Sequence, residues 1–267
     1  MEEFNSDFDT LFLPIKSKIY TSENFPNILY DKTSLDIRDR VPSDIKCISK
    51  LLQYTYLSGA IRARRIDDKV KEFLKNNPNG VVVELDSRLS TACYRLEATN
   101  KWYCVDSARN IKIREQLFAP KENVIYIKSD IYNYQWLSQI QEENPGCPLL
   151  IICVGVFSYY QRTTVVKFLN HIFKIENTEI IFDAVNSIGM KRMKKYYKHI
   201  GIKDYKSLFC LNSVDELKLE NTNSVVLDRK TFFTKLDIKH IKLITRLYMK
   251  IADLFKMIQI YHISNRT

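Results

Sequence analysis

Carboxylates recur at one kind of place in this sequence, the ends of short apolar runs. Val81–Leu85 runs into Asp86 and Trp102–Val105 into Asp106. Val124–Ile127 reaches Asp130 through Lys128-Ser129, and Ile180–Phe182 ends at Asp183. A carboxylate ending the second run, about 20 residues past the turn after the first, is placed to accept hydrogen bonds from both hydroxyls of a ribose. Asp106 also has a structural role open to it, capping a helix that begins Ser107-Ala-Arg. The two roles are compatible, and the spacing favours ribose binding. Asp130 could accept from an adenine amino group or be an ordinary turn aspartate, and the residues leave both open. Arg62, Arg64 and Arg65 include at least one side chain able to clamp a carboxylate bidentately. Their alternative is a solvated helix face with Asp67 and Asp68 as local charge partners.

The turn after the first run is unusual. A cofactor loop at this point normally relies on glycine, because a residue without Cβ lets the backbone bend sharply and approach the ligand. This chain has Asp86 and Arg88 there. Tyr159-Tyr160, after the fourth run, could line a substrate pocket or serve as core or rim packing.

The elements that must hold these residues follow from periodicity. Residues 1–46 read as local turns and short apolar bits punctuated by Pro14, Pro26 and Pro42. Helical spacing follows over Ile45–Leu57 and Ala60–Leu74, ended by Asn76-Asn-Pro-Asn-Gly80. The apolar runs Val81–Leu85, Trp102–Val105, Val124–Ile127, Leu149–Val154 and Ile180–Phe182 then alternate with helical segments at Arg109–Phe118, Trp136–Glu142 and Thr163–Phe173. This alternation implies parallel pairing through right-handed crossovers, and continuous apolarity implies helices on both sheet faces. A helix from about Ile238 to Lys256 and a strand at Met257–Ile263 predict an antiparallel C-terminal edge. The expected fold is therefore α/β, a doubly wound, mostly parallel sheet. Its parts are N-terminal cap helices over 1–78 and a Rossmann-like core over 79–267, in one structural domain.

Bulk properties narrow the function classes. With 267 residues, 45% hydrophobic and 27% charged, the chain is long enough to bury a sizeable core. No apolar run approaches the roughly 20 residues of a membrane span, and the acidic N-terminus is unlike a secretory signal. The six cysteines are scattered through apolar segments, which points to reduced thiols and a cytoplasmic location. No Cys/His cluster suggests a metal site. The net charge of +10 reflects lysine usage throughout, and the dense run Lys191–His199 reads as the polar side of a helix. Nucleic acid and membrane are therefore not expected partners.

The ordered motifs carry a resemblance. Thr10-Leu-Phe-Leu-Pro-Ile, Gly59-Ala-Ile-Arg-Ala-Arg-Arg-Ile-Asp-Asp, Gly80-Val-Val-Val-Glu-Leu, Leu89-Ser-Thr, Tyr94-Arg-Leu, Trp102–Asp106, Ser129-Asp130, Gly155-Val-Phe-Ser-Tyr-Tyr and Phe182-Asp183 resemble the leucine carboxyl methyltransferase family. The likeness is nearest to its tetracenomycin-type bacterial O-methyltransferases. It implies a class I methyltransferase fold that uses S-adenosylmethionine to methylate a carboxylate or hydroxyl oxygen of a small molecule. It also implies cofactor contacts at Arg62, Glu84, Asp106, Asp130 and Gly155, while naming no catalytic residue. The family's first loop reads Leu-Gly-x-Gly-Leu-x-Thr-Arg; here Leu85 to Ala92 carry Asp86, Arg88 and Ala92 at the two glycines and the arginine. The family's Glu-Gly after the fourth strand is Val154-Gly155. An Asp86 carboxylate would repel the cofactor's carboxylate, whereas Arg88 could fold back and pair with it. The competing expectation is a protein of this fold that has lost methyl transfer, acting as a partner for another protein or in a cofactor-independent reaction.

Overall fold

The structure, a computed structural model, describes residues 6–42, 52–199, 209–220, 224–234 and 236–265. Five short parallel strands form its centre: β1 Val81–Leu85, β2 Trp102–Asp106, β3 Val124–Lys128, β4 Leu149–Cys153 and β5 Thr178–Val185. Two more, β6 Val225–Thr231 and β7 Ile258–Ser264, complete a seven-stranded sheet in the order β3-β2-β1-β4-β5-β7-β6. β7 runs antiparallel to both β5 and β6. The order reverses direction between β1 and β4, and in such sheets that switch point opens the ligand crevice beyond the strand C-termini.

The five central strands are apolar on both faces because both faces are covered. Val81, Val83 and Leu85 pack with Trp136, Phe168 and Leu169 on one side, whereas Val82, Trp102 and Ile152 pack with Ile61, Val70 and Met249 on the other. The first layer rests on α6 Gln135–Glu143 and α7 Arg162–Ile172, the second on α3 Leu52–Asn76 and α9 Leu243–Leu254. The remaining helices are α1 Ser6–Asn24, α2 Lys32–Asp36, α4 Ala92–Arg95, α5 Ala108–Leu117 and α8 Ser187–His199. Leu11, Phe12 and Ile15 of α1 pack with Leu89 and Phe118, which puts the cap directly over the loop after β1.

Several expectations need correction. The N-terminal segment is a 19-residue helix with Pro14 inside it, not a set of turns. The two helices expected over 45–74 are, from Leu52 on, one continuous α3; residues 43–51 lie outside the described residues. Gly59, between the two expected helices, sits within that helix against α1, and a Cβ there would meet the Ser17 Oγ at 2.7 Å. The antiparallel edge is a pair of strands with β7 inside and β6 outermost.

Candidate functional site

The loop Asp86–Thr91 carries the main finding. Asp86 has φ 48° and Arg88 φ 43°, so both adopt the left-handed backbone that glycine adopts freely and side chains disfavour by about 1–2 kcal/mol. These are the two positions where the resembling family has glycine. The backbone thus keeps the glycine course although neither residue is glycine. Three contacts hold it there. The Arg88 N–H donates to Asp106 Oδ2 at 2.6 Å, and the Arg114 guanidinium donates to the Arg88 and Ser90 carbonyls at 2.9 and 2.8 Å. Arg114 is fully buried between the Phe118 and Tyr126 rings, each 5.3 Å from its central carbon. A charge in that position fixes the loop from beneath.

Asp106 ends β2 as predicted and is 3% exposed. Its Oδ1 accepts from the Ser107 N–H at 2.6 Å and the Asn110 side chain at 2.8 Å. The helix cap itself is Ser107, whose side chain accepts from the Asn110 N–H, so Asp106 is not the capping residue. Burial first, then the nearby Asp86 carboxylate, pushes the Asp106 pKa above the usual carboxylate value. Glu84 lies under the loop and accepts from Ser90 Oγ at 2.7 Å and Trp102 Nε1 at 3.0 Å. Asp130 is exposed, and its side chain accepts from the Tyr132 N–H two residues on, in an ordinary turn bond.

Of the three arginines in α3, only Arg62 reaches the cleft. It donates to Asp183 Oδ2 at 3.0 Å, while Asp183 Oδ1 accepts from the Gly155 N–H at 2.6 Å. Gly155, at φ 75°, lets β4 turn beneath that guanidinium, and a Cβ there would approach Arg62 to 3.5 Å. Arg64 instead holds the Asn27 and Ile28 carbonyls, and Arg65 the Phe232 carbonyl. Asp67, expected as a local partner of this trio, faces the protein interior and binds Arg95 at 2.7 Å. Arg95 also reaches Asp31 at 2.6 Å, tying α2 and α3 to α4 just past the loop.

The cleft is lined by Lys18, Arg62, Asp86, Arg88, Glu84 and Val154 among others, and its volume is about 110 Å³. Ligand pockets are commonly about 300–1,000 Å³. Arg88 narrows it: its side chain pairs with Asp86 at 3.0 Å and its guanidinium stands 6.0 Å from the Tyr159 ring. In the structure the two side chains satisfy each other's charge. Tyr160 packs against the Tyr132 ring at 4.7 Å. Lys18 and Arg114 escaped the sequence reading. The signal for Lys18 was its place three residues after Ile15 on a helical face, hidden by the reading of this segment as turns. Burial, opposed by Asp31, lowers the Lys18 pKa to about 8.

The sheet order, the left-handed loop after β1 and the carboxylate after β2 define a protein of the class I methyltransferase fold. The chain belongs to the leucine carboxyl methyltransferase family, whose sequence profile matches residues 29–173. It is similar to the tetracenomycin polyketide synthesis O-methyltransferase TcmP of Streptomyces glaucescens, 22% identical over 180 residues. That match covers 66% of this chain and 65% of TcmP, just under two thirds of the relative. Among solved structures, a DUF574 family protein from Streptomyces avermitilis matches with TM-score 0.57 at 10% identity, over 93% of this chain and 96% of that one. Magnesium protoporphyrin IX methyltransferase from Synechocystis, solved with bound SAH, matches with TM-score 0.51 at 12% identity, over 87% and 94%. At such identities the structural likeness is one of fold.

Proposed function

We propose that the chain binds S-adenosylmethionine in the cleft above β1 and β4 and transfers its methyl group to a carboxylate or hydroxyl oxygen of a small molecule. One observation carries this reading: Asp86 and Arg88 hold the left-handed backbone of a glycine loop, although side chains there oppose it. Strain kept at a strand end, with buried Arg114 and Asp106 maintaining it, is the pattern of a functional site. Lys18 and Arg62 line the cleft beside the loop as cations for an amino-acid carboxylate, and Asp106, which sits behind the loop holding the Arg88 N–H, would take the ribose. Glu84 lines this space, and Asp130 and Gly155 follow the ends of β3 and β4.

When bound, the cofactor supplies an electrophilic methyl on a sulfonium. The chain's part is to position and desolvate. Asp106 would orient the ribose, and Arg62, held by Asp183, would orient the carboxylate end. A carboxylate acceptor is already ionised at neutral pH, so the site needs to hold its oxygen in line with the methyl and exclude water, with no general base. Calorimetric titration with S-adenosylhomocysteine tests the proposal. Saturable binding below millimolar concentration supports it, and no heat at millimolar concentration overturns it.

A second reading is favoured by the Asp86–Arg88 pair and the cleft of about 110 Å³. In it the chain has lost methyl transfer and serves a protein partner or a cofactor-independent reaction. Asp86→Gly/Arg88→Gly separates the readings: a variant that gains S-adenosylhomocysteine binding over a non-binding parent establishes the loss.

A further inference from the structure

We infer that α9, with the adjoining basic helix α8, forms a surface for peripheral attachment to anionic lipid. α9 has two apolar faces. Thr245, Met249 and Ala252 are buried against the core, while Leu243, Leu247 and Leu254 are 74, 51 and 75% exposed. Leu243, Leu247 and Leu254 lie on one side of the helix with exposed Ile244 and Phe255 alongside, and half-buried Ile251, which packs against the core, lies between Leu247 and Leu254. Scattered exposed leucines are ordinary, but a contiguous apolar patch marks an interaction surface.

The charges around the stripe choose its occupant. Lys239, Lys242, Arg246, Lys250 and Lys256 lie on or beside α9, and between residues 238 and 263 the sole carboxylate is Asp253. Asp253 is half-buried and engaged, accepting from the Phe233 N–H at 3.2 Å and from Thr234 Oγ1 at 3.1 Å. The basic run of α8 adjoins the same end. Asn186, just before α8, donates to the Phe255 carbonyl at 2.8 Å, and Gly189 sits so close that a Cβ would overlap the Met257 carbonyl oxygen. From there Lys191, Arg192, Lys194 and Lys195 stand exposed, and α8 contains no carboxylate. An apolar stripe ringed by cations matches the boundary between acyl chains and anionic headgroups, where such helices lie in the membrane plane. A protein interface would bury those lysines against a partner and would need matching acids. No helix among the described residues is long and apolar enough to cross a membrane, and the surface inferred here requires no crossing.

Sedimentation with lipid vesicles tests the inference on the whole protein. Phosphatidylcholine vesicles with about a third phosphatidylserine should bind it at least tenfold more strongly than phosphatidylcholine alone, and added salt should weaken the attachment. Leu247→Glu/Leu254→Glu changes only exposed side chains and should leave the melting temperature within a few degrees of wild type while lowering attachment at least tenfold. Lys242→Gln/Lys250→Gln should lower it on the order of tenfold and reduce its salt dependence. The inference fails if wild type ignores the anionic vesicles, or if Leu247→Glu/Leu254→Glu still sediments with them as wild type does. It also fails if wild type is a dimer that Leu247→Glu/Leu254→Glu converts to monomer, because a second copy then covers the stripe.

Discussion

At the scale of single residues, the site rests on Asp106 and on two residues holding a backbone built for glycine. Asp106 anchors the Arg88 N–H and would hold two ribose hydroxyls, so Asp106→Ala should weaken S-adenosylhomocysteine binding at least tenfold. It should also lower stability by about 1–3 kcal/mol, because it leaves the Arg88 and Ser107 N–H groups without their acceptor. Calorimetry and thermal melting on the same variant separate the effects, and an earlier melt with unchanged affinity would refute the ribose role. Asp86→Gly/Arg88→Gly removes the left-handed penalty at two positions, about 1 kcal/mol each, and removes the pair that narrows the cleft. The double variant should bind S-adenosylhomocysteine about tenfold more tightly and melt no earlier than wild type. A lower melting temperature with weaker binding would show that the Asp86–Arg88 pair supports the loop.

At the scale of elements, the loop's shape depends on α5. Arg114→Leu removes both guanidinium bonds to the Arg88 and Ser90 carbonyls, and should speed hydrogen exchange at Ser87–Ser90 while the central strands stay protected. Equal exchange in variant and wild type would show that the loop holds itself. Helix α8 is seated by Gly189, so Gly189→Ala should cost about 2–3 kcal/mol in thermal melting, since its Cβ would overlap the Met257 carbonyl. The five central strands were legible because two covered faces make them apolar throughout. β6 was not, because as the outermost strand it exposes most of its residues and leaves no buried pattern to read. α1 was hidden by Pro14, which reads as punctuation but falls inside the helix. The place of Asp106 at the end of a strand was legible from spacing, whereas the arginine cluster did not separate Arg62 from Arg64 and Arg65, and only Arg62 lines the cleft. The Asp86–Arg88 pair was not, because sequence alone does not say that two neighbours will answer each other's charge.

At the scale of the whole molecule, the cap and the sheet meet at buried charges around Lys18, and their titration is a global observable. The Lys18 pKa in the folded protein, about 8, lies below the ordinary lysine value of 10.5 because burial disfavours the ammonium. Between these values the unfolded chain binds more protons, so this group makes stability rise with pH from about 8 to about 10.5, by about 3 kcal/mol in all. Subtracting the pH profile of Lys18→Met from that of wild type isolates the rise, and a flat difference would show that Lys18 is solvated. A carboxylate bound beside Lys18 should keep it charged, so ligand affinity should fall as pH passes 8 in wild type and not in Lys18→Met. The most direct test of the central claim is a crystal structure of the protein grown with millimolar S-adenosylhomocysteine. The ligand is expected over the Asp86–Thr91 loop, with its ribose on Asp106 and the Arg88 side chain moved off the cleft. An unchanged Asp86–Arg88 pair with no ligand above it would contradict the account.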